Sequence, residues 1–296
     1  MKLSLAIATF NEELTIVDCI QSCRGLVDEI VVVDGSSTDK TAELAHQMGA
    51  KVIVTANLAM FHTNKQKAID MCTGEWILQL DADERVTSEL AEEIRALLQM
   101  TNDQMDIYEK NLKERRLFIR HQALVTKRET HNVQRPETLH DSQYNAFFLP
   151  RLNYFLGGYL RHGGVYPDGV IRLIRKGKAH LPCKDVHELM EVDGKTGWLA
   201  NSLIHQDSPT FKRYLERNSR YIDHLVEELK TRNNKFKISN LKFQIEMGDW
   251  IIVKPISTFF SLLIRHKGIL DGWRGVVFAF FSSIRFTRAY IRFIRS

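Results

Sequence analysis

The sequence is poor in the features that would give it a covalent or membrane-spanning scaffold. Its 296 residues include only 4 cysteines and 6 prolines. Cys19 and Cys23 lie four apart on an expected first helix, and Cys72 and Cys183 stand alone. That is neither a disulfide framework nor a zinc spacing, and it fits a reducing compartment. No repeat or low-complexity tract stands out, and the amino terminus reads as a strand with no signal peptide. A Gly-x-Gly-x-x-Gly fingerprint is missing after the first apolar run, where Phe10-Asn11-Glu12-Glu13 stands instead. This argues against a dinucleotide-binding oxidoreductase, and the lack of a Gly-rich basic loop there argues against a nucleotidyltransferase.

What the chain does have is alternation. Lys2–Thr9, Glu29–Asp34 and Lys51–Val54 read as strands, with helices expected after Glu13, over Thr41–Met48 and through Lys67–Met71. Such βα repetition predicts a parallel sheet with right-handed crossovers, whose polar turns share one edge. The next strand, Trp76-Ile77-Leu78-Gln79-Leu80, ends in Asp81-Ala82-Asp83-Glu84. Ligands of parallel sheets sit beyond the carboxyl ends of the strands. Residues two apart on an extended segment face the same way, so Asp81 and Asp83 are placed to share a hard cation, Mg²⁺ or Mn²⁺, with phosphate oxygens. The plainer alternative is that Asp83 or Glu84 caps the helix starting near Ser88.

Three segments together resemble family 2 glycosyltransferases of the GT-A fold: Thr9–Glu13, Asp28–Asp39 and Gly74–Glu84. The D-A-D-E-R run after a G-E-W strand is most similar to the branch containing lipopolysaccharide-core and other envelope-sugar glucosyltransferases. The resemblance implies an α/β, Rossmann-like, mostly parallel sheet flanked by helices, and transfer of a hexose from a nucleotide-diphosphate sugar, UDP first among them. It implies that Thr9, Asn11 and Glu12 line ribose and base, with Asp39 at the uracil ring and Asp34 nearby. Asn11 and Asp39 also suit helix caps, and Asp34 a strand end. Lys65, ahead of a helix, is the candidate diphosphate ligand, with Lys67 in reserve. Arg172 is a candidate for phosphate or sugar, or a sheet-edge ion pair. His205 resembles the histidine that completes a metal site in GT-A enzymes, or is a hydrogen-bonded structural residue. An inverting transferase needs a base near the acceptor hydroxyl. Val186-His187-Glu188 resembles the branch's version of that element, so Glu188 is the expected base, with Asp185 and Asp168 in reserve. Trp198 is read as a buried aromatic or a sugar-stacking ring. A scaffold that kept the fold without turnover is the remaining rival.

Four segments follow: a nucleotide-sugar half (1–100), a charged helical insertion (101–145), an acceptor half (146–225) and a basic amphipathic extension (226–296). The insertion is expected to be an acceptor lid, an oligomer contact or a solvated excursion. From Ile251 to Ser296 eight Lys or Arg face one acid, Asp271, a net of +7 against +5 for the whole chain, so residues 1–250 carry −2. Arg285, Arg288, Arg292 and Arg295 recur at helical spacing beside Phe281, Ile284, Ile291 and Ile294. This predicts helices on a membrane surface, at the inner face of the cytoplasmic membrane, or else an amphipathic helix packed on the catalytic domain. A nucleic-acid arm is not expected, because the large apolar residues would lack a partner. Within the tail the longest uncharged stretches are 10 residues, Pro255–Ile264 and Gly275–Ile284, too short to span a bilayer.

Overall fold

In β1 (Leu3–Thr9) every residue but Ala8 is buried, so the strand sits in the middle of a sheet covered on both faces. The computed structural model describes residues 1–58, 60–129, 142–184, 189–235 and 247–295. They fall into two compact units, Met1–Arg151 with Pro167–His205, and Leu152–Tyr166 with Gln206–Ser296.

In the first unit β2 (Glu29–Asp34), β3 (Lys51–Val54) and β4 (Trp76–Asp81) run parallel to β1 in the order β3-β2-β1-β4. The chain lays β2 and β3 on one side of β1 and β4 on the other. Such a reversal opens a crevice at the strands' carboxyl ends. Thr9 is in register with Asp34, and Ala8 with Asp81, so that crevice is edged by the expected polar residues. A short β5 (Glu84–Arg85) follows β4 after a turn at Ala82-Asp83, so residues 81 and 83 do not lie on one straight strand as the sequence suggested. Beyond β4 the sheet continues through β9 (Val170–Arg175), β6 (Tyr144–Leu149) and β12 (Lys195–Trp198). The intervening strands are β7 (Arg151–Phe155) and β8 (Gly158–Leu160). β9 runs antiparallel to both its neighbours, and β12 is parallel to β6. A two-strand ribbon of β10 (Ala179–His180) and β11 (Glu191–Val192) stands apart. β13 (Leu203–Ser208) pairs with β5, His205 opposite Glu84.

Alternation along β1 divides the core. Leu3, Leu5 and Ile7 join Trp76, Leu78 and Leu80 on one face, with Ile16, Cys19 and Ile20 of α1 (Ile16–Ser22) and Leu90, Ile94 and Leu97 of the helix Ser88–Leu98. Ala6 and Ile77 face the other way, with Val31, Ala68 and Ile69. The helix Ser88–Leu98 takes its cap from Thr87, whose hydroxyl accepts from the Leu90 N–H at 3.1 Å, so neither Asp83 nor Glu84 serves there.

The charged segment after Met100 is held by its apolar minority. The helix Asn102–Lys110 opens on a capping box of Thr101 and Gln104, and Met105, Leu112 and Phe118 are buried. Phe118, from the helix Arg115–Glu129, stacks on Trp198 at 4.6 Å, and Phe148 stacks on the same indole at 4.8 Å. Trp198 is therefore a core ring, and Gly169 is needed beside it, since a Cβ there would lie 2.1 Å from the indole.

In the second unit the β7–β8 hairpin packs Phe155 and Leu160 with Tyr214 of the helix Phe211–Lys235. Two further arms follow. One runs from Asp249 to Arg265 as α-helix Lys254–Phe260 with a π-helical turn at each end; the other is the continuous helix Trp273–Arg295. Among the described residues no helix is long and apolar enough to cross a membrane. Ala289 packs with Ile222 and Val226, and Tyr290 with Leu229 and Trp250. The expected arginine stripe is only partly open. Arg285 is half-buried, and Arg292 pairs with Asp223 and donates to Ser219.

Glu109 gives a pH test of the core. Burial pushes its carboxyl up from 4.5 to about 7, against the opposing pull of the Trp198 N–H it accepts and of Arg115. The folded state therefore holds a proton that the unfolded chain releases at lower pH, and stability falls as pH rises from about 4.5 to 7. Glu109→Gln is expected to stabilise the protein at pH 8 by about 1–3 kcal/mol in urea unfolding, the gain disappearing below about pH 4.5. A gain that does not change with pH would refute this assignment.

Candidate active site

The site grows from the carboxyl ends of β1, β2 and β4. At the first two, Asp34 is buried and accepts from Thr9 Oγ1 at 2.9 Å, Ser37 Oγ at 2.5 Å and Ser37 N at 2.8 Å. Asn11 adopts a left-handed backbone (φ 55°), tolerated by a short amide. Its Oδ1 accepts from Thr38 N at 2.8 Å, while its own N–H donates to Ser37 Oγ at 2.8 Å. Glu12 donates its N–H to Thr41 Oγ1 at 2.7 Å. Asp39 accepts from Thr41 N at 2.9 Å and Glu13 N at 3.2 Å. Burial pushes its carboxyl up, but the Thr41 hydroxyl and these N–H groups outweigh it and hold the pKa below the usual value. The loops after β1 and β2 are thus tied together by their polar side chains.

The end of β4 is an ionic cluster. Lys65, on the helix His62–Met71, places Nζ 2.5 Å from Asp81 Oδ1. Arg172 on β9 reaches Asp81 Oδ2 at 2.6 Å and Glu84 Oε1 at 2.8 Å with one nitrogen, and donates to Gln79 Oε1 with the other. Arg151 approaches Glu84 at 3.5 Å and pairs with Asp168 at 2.9 Å. Glu84 Oε2 also accepts the Asp81 N–H at 3.0 Å. Desolvation pushes Asp81 up, yet Arg172 and Lys65 outweigh it and hold the carboxyl well below its ordinary range. Burial works against the charge on Arg172, but Asp81 and Glu84 more than compensate, so the guanidinium is held charged more firmly than usual.

Asp83 faces elsewhere, with Oδ2 3.5 Å from Nε2 of the buried His205. The structure therefore brings Asp81 to Lys65 and Arg172, and Asp83 to His205. Asp168 joins through Arg151. Glu188 and Asp185 lie outside the described residues. Sequence reasoning passed over Glu84 except as a cap, and missed Gln79 and Arg151. Glu84 is 0% exposed. Its signal was a third acid immediately after D-x-D; Arg151 had no local signal.

A family model described as Glycosyl transferase family 2 matches residues 4–155. The chain belongs to this family. LpsC, a lipopolysaccharide core biosynthesis glycosyltransferase of Rhizobium meliloti (strain 1021), is 33% identical, the match covering 96% of this chain and 92% of that one. An uncharacterized glycosyltransferase of Rickettsia felis is 43% identical over 101 residues, 34% of this chain. That match spans only about a third of the relative's own length, 35%. Among solved structures, glucosyl-3-phosphoglycerate synthase from Mycobacterium tuberculosis, in complex with Mn²⁺, uridine-diphosphate and glucosyl-3-phosphoglycerate, is 25% identical. It covers 34% of this chain and 41% of its own, with a TM-score of 0.30, a likeness too partial to bear on the site. The chain thus has the mixed α/β, largely parallel central sheet of the GT-A fold expected for that family, and the oxidoreductase and nucleotidyltransferase readings fall away.

Among the described residues no group of three or more His, Cys, Asp or Glu side chains is gathered as a ready metal cage. The donor set nonetheless suits a hard cation that keeps open positions. Asp83 and His205 offer one oxygen and one nitrogen ligand side by side, and diphosphate and water fill such shells elsewhere.

Removing Arg172 tests the cluster as structure. Arg172→Leu leaves the fully buried Glu84 with only Arg151, at 3.5 Å, as counter-charge, and Asp81 with only Lys65, and is expected to cost about 3–5 kcal/mol in urea unfolding. Arg172→Lys should recover part of this, because an ammonium lacks the planar fork that reaches Gln79, Asp81 and Glu84 together. A loss under about 1 kcal/mol for Arg172→Leu would show that the cluster does not depend on this guanidinium.

Proposed function

We propose that this glycosyltransferase is inverting and metal-dependent, and that it moves a hexose from a UDP-sugar to an envelope glycan or lipid-linked acceptor at the inner face of the cytoplasmic membrane. The observation that carries the donor half is the meeting of Lys65, Arg172 and Asp81 at the strand-order reversal, where the carboxyl ends of β1 and β4 adjoin. The envelope acceptor draws support from the match to LpsC along nearly the whole chain.

In this reading the tied loops carrying Thr9, Asn11, Glu12, Asp34 and Asp39 receive the nucleoside, and Lys65 binds the diphosphate as a point charge. Arg172 holds Asp81 in place and lends positive charge to the same edge. Asp83 and His205, with Asp81 behind them, would hold a divalent cation, which supplies charge stabilisation to the departing diphosphate. Glu188 takes the proton of the acceptor hydroxyl as that oxygen attacks the anomeric carbon opposite the leaving group. Asp168 is already paired with Arg151, which favours Glu188, or Asp185 beside it, as the base.

A panel of nucleotide sugars with Mn²⁺, Mg²⁺ or chelator tests the reading by thermal shift and slow donor hydrolysis. One UDP-sugar with metal is expected to raise Tm by about 5 °C or more near saturation, an increase lost with chelator and in Asp83→Ala and His205→Ala. Stabilisation by no nucleotide sugar would overturn the proposal. A product that keeps the donor's anomeric configuration would remove Glu188 from its role.

A further inference from the structure

The second unit ends in a helical hairpin whose apolar residues are on the wrong side for a core. Ile252, Ile256, Phe260 and Ile264 recur every four residues along the first arm, each more than half exposed. At the tip Ile269, Leu270 and Trp273 are equally open, at 60, 64 and 56%. Four-residue recurrence drifts around a pure α-helix but runs nearly straight along an arm whose ends are π-helical. Monomeric soluble proteins rarely leave so long an apolar strip uncovered.

The hairpin is held in this form by contacts within its own unit. Gly275 lies so close to the tip that a Cβ would fall 1.8 Å from Gly268 O. Gly163 donates its N–H to His266 O at 2.8 Å, and Arg274 donates to Leu156 O and Gly157 O. The exposed charges at the tip are one-sided. Arg265 and Lys267 are exposed at the tip. Asp271, the only acid after residue 250, is withdrawn, its side chain 5% exposed, accepting from the N–H groups of Arg161 and His162 and sitting 2.8 Å from the His162 ring. Along the first arm Lys254 places its ammonium over the Trp250 ring at 3.5 Å and pairs with Asp249 at 3.2 Å, so the unanswered charge is that of the tip.

We infer that this hairpin, the first arm together with the tip from Ile264 to Trp273, is an interfacial membrane anchor that lies in the surface of an anionic bilayer with the apolar strip among the acyl chains. The inference rests on the peripheral-membrane reading above and moves the contact from the carboxyl-terminal arginines, which are partly paired within the unit, to the hairpin strip. A second copy of the chain is the competing occupant. A two-fold contact centred on the tip would gather Arg265 and Lys267 of both copies around the axis while Asp271 is withdrawn, whereas anionic headgroups answer them directly. The strip is apolar and its margin basic, which is the distribution of an in-plane amphipathic element.

The test is flotation of the full chain with phosphatidylcholine vesicles, with and without a third of phosphatidylglycerol, for wild type and for Ile264→Glu/Leu270→Glu. Binding is expected only with the anionic lipid, weakening as salt rises, and falling about tenfold or more in the double variant. Trp273 emission should shift to the blue on binding, as judged against Trp273→Phe. Both variants should keep the wild-type Tm and the wild-type response to donor, since they alter exposed residues of the second unit that are no part of the ionic cluster. Unchanged flotation in the double variant would overturn the assignment of the strip. Absence of binding, or a concentration-dependent dimer that the double variant breaks, would assign the strip to another use and overturn the anchor. Vesicle binding without any donor response would instead refute the catalytic reading and leave the anchor standing.

Discussion

Arg172 is the residue on which the first unit turns. It stands on β9, the strand that runs against its neighbours, and bridges the last residue of β4 to the first of β5. Glu84 is fully buried, and an ionised carboxylate in that position is tolerable only with a fixed counter-charge and hydrogen bonds. Arg172, Arg151 and the Asp81 N–H supply them. A buried ion pair of this kind adds little net stability, because desolvation consumes most of the Coulomb gain. Its consequence is geometric. The acidic turn after β4 keeps one shape, and Asp83 is delivered to His205 because β13 pairs with β5 at that point.

The ionic cluster also sets the electrostatics that a diphosphate would meet. Asp81 already has a cation on each carboxylate oxygen, so it acts less as a bare ligand than as the negative centre around which Lys65 and Arg172 are gathered. Arg172 is fixed by three acceptors, Gln79, Asp81 and Glu84. Lys65 has Asp81 and the face of Phe61, 5.0 Å from its ammonium. A flexible ammonium with two weakly directional partners can change partners more readily than a guanidinium locked by three. In the proposed reading the diphosphate role therefore falls to Lys65, and the positioning role to Arg172.

The alternation of strands and helices, the polar turns at one sheet edge and the D-x-D after an apolar strand were legible because they depend on short-range pattern. So was the placing of Thr9, Asn11, Asp34 and Asp39 in two adjacent turns, but not the hydrogen bonds through Ser37, Thr38 and Thr41 that tie those turns together. The role of Glu84 was not, because its burial is created by β13, more than a hundred residues later in the chain. Arg172 was legible as a charged residue in a strand, but its partners come from β4 and β5. Trp198 could be read as core or as a sugar platform until Phe118, from a segment that looked solvated, was placed against it. The carboxyl-terminal arginines were read as one stripe from helical spacing alone; Asp223 and Ser219, on another helix, close part of it.

The two units meet the same cost of desolvating charge in opposite ways. In the first, acids and bases are interleaved, so the charges can be taken out of water together. In the second, the chain after residue 250 has almost no acids with which to do that, and the one it has is folded inward against His162. Lys254 and Arg292 borrow acids from earlier in the unit, Asp249 and Asp223, while Arg265 and Lys267 at the tip stay exposed beside the apolar strip. A segment selected only to pack on its own unit would have no need to exclude acids from its surface, since surface ion pairs are nearly neutral to stability. Both the exclusion of acids and the exposed strip of isoleucine, leucine and aromatic side chains follow if the missing partner is anionic and apolar at once, which describes the headgroup and acyl boundary of a bilayer.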